Sequence, residues 1–177
     1  MRNNLSQLIS LNHIAENLYR PSNAYDQSRV TRLEHLYTII EETTDDAVRR
    51  VANRIAERIR NHQNEGKRLV LSLVAGRTMR DLFAELVRQH KEEGLSFSNV
   101  VIVNSYEYFP LPDNTVGSMA QIRKELLDYV DIPAENILTI PVELNKDELI
   151  DFCSAYEERI NQLGGIDLQI TGIGRSG

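Results

Sequence analysis

Residues Asn104, Ser105, Tyr106, Glu107 and Tyr108 place an amide, a hydroxyl, two phenols and a carboxylate side by side. They follow Asn99–Val103, which reads as buried strand, and prolines at 110 and 112 stop the chain from pairing further. Glu107, the only carboxylate at that strand end, could serve as acid or base or orient a hydroxyl. It could equally hold a neighbouring backbone N–H. Two further segments offer chemistry. In Ala75-Gly76-Arg77-Thr78, Gly76 allows close backbone approach, and the free N–H groups, Thr78 hydroxyl and Arg77 guanidinium could hold a phosphate. The plainer reading of that segment is a tight turn with Thr78 as N-cap. Gly172-Ile173-Gly174-Arg175-Ser176-Gly177 satisfies G-x-G-x-x-G after a strand. A dinucleotide site also needs a following helix and an acidic residue about 20 positions on, and neither is present, so no cofactor is expected. His13, His35, His62 and His90 lack metal-ligand spacing, and no metal is expected.

The elements that must position these segments follow from periodicity. Thr43 or Thr44 can cap a helix with Asp45 and Asp46 in its first turn, an apolar stripe of Val48, Val51, Ile55 and Ile59, and Gly66 at its end. Leu69–Val74 reads as strand, and a helix with Leu82, Phe83, Leu86 and Val87 on one face runs on to Gly94. After the strand to Val103 come a helix over Ser118–Tyr129 and a short strand, Ile137–Ile140. Asn145 caps a helix with Leu149, Cys153, Tyr156, Ile160 and Leu163 at helical spacing, which makes Cys153 a core thiol. Gly164-Gly165 closes it, and Ile166–Thr171 is the last strand. Such alternation predicts an α/β fold, an open, doubly wound, mostly parallel sheet with helices on both faces (Rossmann-like). Ligands bind such folds beyond the carboxyl ends of the strands, where residues 75–78, 104–108 and 172–177 all fall. Residues 1–40 are polar and irregular, an arm over the domain or a partner subunit, with a short strand expected near Leu36–Ile40; residues 41–177 form the α/β domain. No helix follows the final glycine-rich turn, so the chain is expected to be cut from a longer protein.

The 177 residues are 41% hydrophobic and 26% charged, enough for one domain with a core. The net charge is −6, and the densest basic run, Arg49 to Arg60, is interleaved with acids, so no nucleic-acid partner is expected. Apolar runs are too short to span a bilayer and no signal peptide is visible, so no membrane partner is expected. The single cysteine fits a reducing, cytoplasmic setting. A homo-oligomer is the expected assembly.

Four stretches in this order, LVLSLVAGRTM, HKEEGLSFSNVVIVNSYEYFPL, DYVDIPAENI and YEERINQLGGIDLQITGIG, resemble the glucosamine-6-phosphate deaminase/isomerase family. The match runs from about residue 45 to the end. Residues 1–40 resemble the leader of a long bacterial subgroup carrying an additional C-terminal domain. The resemblance implies the same open α/β fold and a phosphorylated amino sugar as partner. In the family the sugar is opened, a base removes the C2 proton, and the ketose imine loses ammonia to give fructose 6-phosphate.

The resemblance also implies roles. The family's P-T-G-G-T-P-like phosphate turn is matched by Val74–Met79, where Gly76 and Thr78 fit and Ala75, Arg77 and Met79 do not. In its N-x-D-E-Y stretch Asn104, Glu107 and Tyr108 match, but Tyr106 stands where the base aspartate belongs. In its G-x-G-x-D-G loop Gly172 and Gly174 match, and Ser176 replaces a carboxylate. Catalysis would fall to Glu107 and to the positions of Tyr106 and Ser176; substrate binding to Gly76, Arg77, Thr78, Asn104, Tyr108, Gly172 and Gly174. A phenol of pKa near 10 is a poor base at neutral pH. The expected function is therefore an isomerase/deaminase-like protein with altered or lost activity. The alternatives are a non-catalytic phosphosugar-binding module and a 6-phosphogluconolactonase-like hydrolase, and residues 1–177 alone are expected to be inert.

Overall fold

The computed structural model describes Asn23 and residues 38–173. The chain divides into two units, Met1–Thr44 and Asp45–Gly177, and the second carries the fold described below. Its elements are α1 (Thr44–Asn64), β1 (Leu69–Leu73), α2 (Arg77–Glu93), β2 (Val100–Asn104), α3 (Ser118–Glu125), β3 (Ile137–Leu138), α4 (Lys146–Gln162) and β4 (Leu168–Gln169). All strand pairs are parallel, in the order β3-β2-β1-β4. Residues 38–40 form no strand; Leu36 and Tyr37 lie outside the described residues.

β1 and β2 are buried at every position, which is why LVLSL and VVIVN read as near-continuous apolar runs rather than alternating ones. The steps β1→β2 and β2→β3 run in one direction across the sheet, and β3→β4 returns past both to the far side of β1. Right-handed crossovers then put α2 and α3 on one face and α4 on the other. The first face holds the larger core, with Phe83, Phe97, Ile55, Leu71 and Ile102 fully buried. Val70, Val101 and Val103 line the second, against Tyr156, Ile160 and Leu163.

Several boundaries differ from expectation for identifiable reasons. On α1 the buried positions are Ala52, Ile55, Ala56 and Ile59. Val51 is exposed, because it stands roughly a quarter turn from the centre of that stripe. Cys153 is also exposed: Phe152, stacked obliquely on Tyr156 at 5.6 Å, fills the inward line of α4 instead. α3 stops at Glu125, and a tight turn at Leu127–Tyr129 replaces its expected last turn. Leu126 leaves helical dihedrals there, which lets both Leu126 and Leu127 face the core. β4 pairs formally over two residues, but Asp167 N–H donates to Val70 and Ile170 N–H to Ser72, so extended chain follows β1 for longer.

The amino ends of the strands are locked by HKEEGLSF and VDIPAENI. Asp131 accepts from Phe97 N–H at 2.6 Å and the Ser96 hydroxyl at 2.7 Å, while His90 Nδ1 meets the Leu95 carbonyl at 2.6 Å. Burial acts to raise the Asp131 carboxyl, but the bonds from Ser96 and Phe97 outweigh it and hold the group below its ordinary range. At the carboxyl ends Tyr156 ties α4 to the sheet, its hydroxyl donating toward the carbonyls of Asn104 at 3.1 Å and Leu138 at 3.2 Å.

Burial pushes the Tyr156 phenol up to about 12. An unfolded phenol titrates near 10, so this contact is fully present below pH 10 and lost as pH rises through 12. Tyr156→Phe is expected to lower stability by about 1 kcal/mol at pH 7. Urea melts at pH 7 and pH 11.5 check this, and the gap between parent and variant should narrow at the higher pH.

Candidate functional site

The strand order reverses between β1 and β4, so the crevice of the fold opens beyond the carboxyl end of β1. Directly there lies the turn from Val74 to Met79. Gly76, not Thr78, occupies the N-cap position of α2 and supplies no capping side chain. Its φ of 150° and ψ of 165° suit glycine, and a Cβ placed on it would meet open space. The first turn of α2 holds no acidic residue but does hold Arg77 and Arg80. Cations at a helix N-terminus oppose the dipole, whereas an anion there is favoured. Arg80 is paired with Glu125 of α3 at 3.1 Å; Arg77 and Thr78 are exposed.

Loops from both neighbouring strands reach this turn. From β2, the Tyr106 hydroxyl donates to the Ala75 carbonyl at 3.4 Å, and its ring meets Tyr108 edge-on at 5.8 Å. From β4, Gly172 passes beside α2, where a Cβ would lie 3.9 Å from the Met79 methyl. Burial first, then the Tyr108 phenol and the Glu107 carboxylate, push the Tyr106 phenol above its ordinary value. It is a neutral hydrogen-bond donor at pH 7, with less phenolate available to act as a base than a free phenol has.

The other residues of the β2 loop turn toward α3. Asn104 is buried; its amide donates to Glu107 at 3.4 Å and accepts from the Ser118 hydroxyl at 3.3 Å. Glu107 also accepts from the backbone N–H groups of Ser118 and Met119. Tyr108 is exposed at the mouth, beside the cis Phe109–Pro110 bond. Gly76, Arg77, Thr78, Tyr106 and Gly172 thus gather at the β1 turn, while Asn104 and Glu107 anchor the loop that carries Tyr106. Gly174 and Ser176 lie outside the described residues.

Ser72, Gly117, Ser118 and Tyr156 are absent from the site residues expected from sequence. Ser72 is fully buried and its hydroxyl bonds that of Ser105, joining the ends of β1 and β2. The lone hydroxyl inside LVLSLV was its available signal. Ser118 and Gly117 carried none, because their importance lies in where Glu107 reaches.

A family model for glucosamine-6-phosphate isomerases/6-phosphogluconolactonase matches residues 42–177. The chain belongs to this family. It is 43% identical over 178 residues to a glucosamine-6-phosphate deaminase-like protein of Bacteroides thetaiotaomicron, a match covering 100% of this chain and 27% of that one. A glucosamine-6-phosphate deaminase of a Geobacillus species is 39% identical over 109 residues, 61% of this chain and 43% of the relative. The chain thus spans less than half the length of these curated relatives. Among solved structures, a monomeric glucosamine-6-phosphate deaminase superposes with a TM-score of 0.71 at 26% identity, over 80% of this chain and 57% of the other. A 6-phosphogluconolactonase of Thermotoga maritima superposes at 0.59 and 21% identity, over 78% and 59%, and that likeness is one of fold. The open parallel α/β sheet expected from periodicity is the one observed.

Proposed function

We propose that this member of the glucosamine-6-phosphate isomerase family binds a phosphorylated amino sugar, with deamination altered or lost. The carrying observation is the β1 turn: an uncapped helix N-terminus with Arg77 in its first turn, at the point where strand order reverses. The phosphate would sit on Gly76–Met79, with the sugar extending toward Tyr106 and Gly172. The deaminase relatives supply the substrate class. Altered or lost turnover follows from Tyr106, a neutral phenol at the family's base position.

The test uses the protein as its gene encodes it, given glucosamine 6-phosphate. Calorimetry is expected to show saturable binding, with ammonia and fructose 6-phosphate formed slowly or not at all. No binding would sink the proposal; fast turnover would sink the altered chemistry. Binding with no product at all favours the second reading, a phosphosugar-sensing module, which the same Tyr106 observation motivates. Among the described residues, no feature of the cleft favours lactone hydrolysis.

The proposal includes a cytoplasmic setting, supported by the exposed free thiol of Cys153. Among the described residues no helix is long and apolar enough to cross a membrane. It also includes homo-oligomeric assembly. The monomeric deaminase relative works without one, so sedimentation velocity decides this point.

A further inference from the structure

One carboxylate holds both ends of the loop between β2 and α3. Glu107 Oε1 accepts from Ser118 N–H at 2.8 Å and Tyr108 N–H at 3.1 Å. Its Oε2 accepts from Met119 N–H at 3.1 Å and the Asn104 amide at 3.4 Å. Ser118 opens α3, and its N-cap, Gly117, has no side chain to offer. The first N–H groups of a helix have no partner within it, and here a residue from the preceding loop supplies one.

Gly117 is fitted to this arrangement. Its φ of −61° and ψ of 157° are ordinary for any residue, so the backbone does not require glycine. The carboxylate favours it: a Cβ there would lie 3.1 Å from Glu107 Oε1, so the gripping carboxylate would have to give by a few tenths of an ångström. On the other side of Glu107 in the chain, Tyr106 crosses to the Ala75 carbonyl. Asn104, Glu107 and Ser118 are therefore locked together immediately around the residue that closes over the β1 turn.

We infer that Glu107 is a positioning residue: by gripping the start of α3 it fixes Tyr106 over the 75–79 turn, and it does not itself transfer a proton. The functional weight of this placement rests on the phosphosugar reading of the cleft. The test contains no sugar, so its failure is distinct from failure of that reading.

Tetranitromethane nitrates phenolate rings, and peptide mass spectrometry reads each tyrosine separately. In the parent, Tyr106 is expected to react well below Tyr129, the internal reference, because its hydroxyl is bonded to the Ala75 carbonyl and burial of the ring keeps the phenol protonated. Glu107→Ala is expected to lower the melting temperature and bring Tyr106 toward parity with Tyr129. Adding Gly117→Ser to Glu107→Ala supplies a local N-cap where the carboxylate no longer blocks it. The melting temperature should then recover while Tyr106 stays reactive. If the double variant restores both, Glu107 only caps α3 and the inference fails. It fails equally if Glu107→Ala leaves Tyr106 slow. Should Glu107→Ala alone not fold, parent against double variant gives the same two outcomes.

Discussion

Replacing Tyr106 and Ser176 by aspartate in the protein as its gene encodes it is expected to raise ammonia release from glucosamine 6-phosphate by about 10²- to 10⁴-fold. A phenol with pKa near 10 is about 0.1% ionised at pH 7, and burial beside Tyr108 and Glu107 lowers that fraction for Tyr106. An aspartate at the same backbone position is almost wholly ionised. Its side chain is too short to keep the bond to Ala75, so the variant should lose about 1 kcal/mol of stability. That cost is small against the gain in proton abstraction, and it falls on the fold rather than on the reaction. Melting temperature, kcat and KM measured together separate the two. Unchanged sugar binding with no gain in ammonia would mean that the missing chemistry lies elsewhere.

Gly76→Asp is expected to abolish phosphosugar binding. At φ 150° an L side chain is strained, by about 1–3 kcal/mol. The space beyond the Cβ is open, so the new carboxylate enters the cleft rather than the core. A unit negative charge about 4 Å from a phosphate charge costs roughly 4 kcal/mol at an effective dielectric of about 20, near a thousandfold in affinity. Gly76→Ala carries the strain without the charge, and should lose stability while keeping part of the binding. Calorimetry with glucosamine 6-phosphate on both variants checks this. Unchanged affinity in Gly76→Asp would move the phosphate away from the β1 turn.

The sheet was legible because β1 and β2 are buried on both faces, and such strands write themselves as unbroken apolar runs. The outer strands were less so: among the described residues β3 and β4 pair on one side only, and their length depends on a neighbour's register rather than on their own residues. Val51 and Cys153 misled because apolar spacing gives a stripe but not its centre. The cleft segments were found by position, at strand ends. Their division of labour was not, since Glu107 finds its donors on Ser118 and Met119, eleven and twelve residues later. The stretches that carry the family resemblance most visibly, HKEEGLSF and VDIPAENI, sit at the amino ends of the strands. They mark the scaffold and not the chemistry.

The place of β4 has a consequence during synthesis. β1 is central in space, yet Asp167, which caps the Val70 N–H, lies 97 residues later in the chain. At about 5–20 residues per second the ribosome needs roughly 5–20 s to supply it. Through that interval one edge of the most buried strand stands unpaired on the nascent chain, open to any extended segment nearby. Chaperone demand should therefore peak before β4 emerges, and slowing translation between α3 and β4 should raise the aggregated fraction without altering the finished fold.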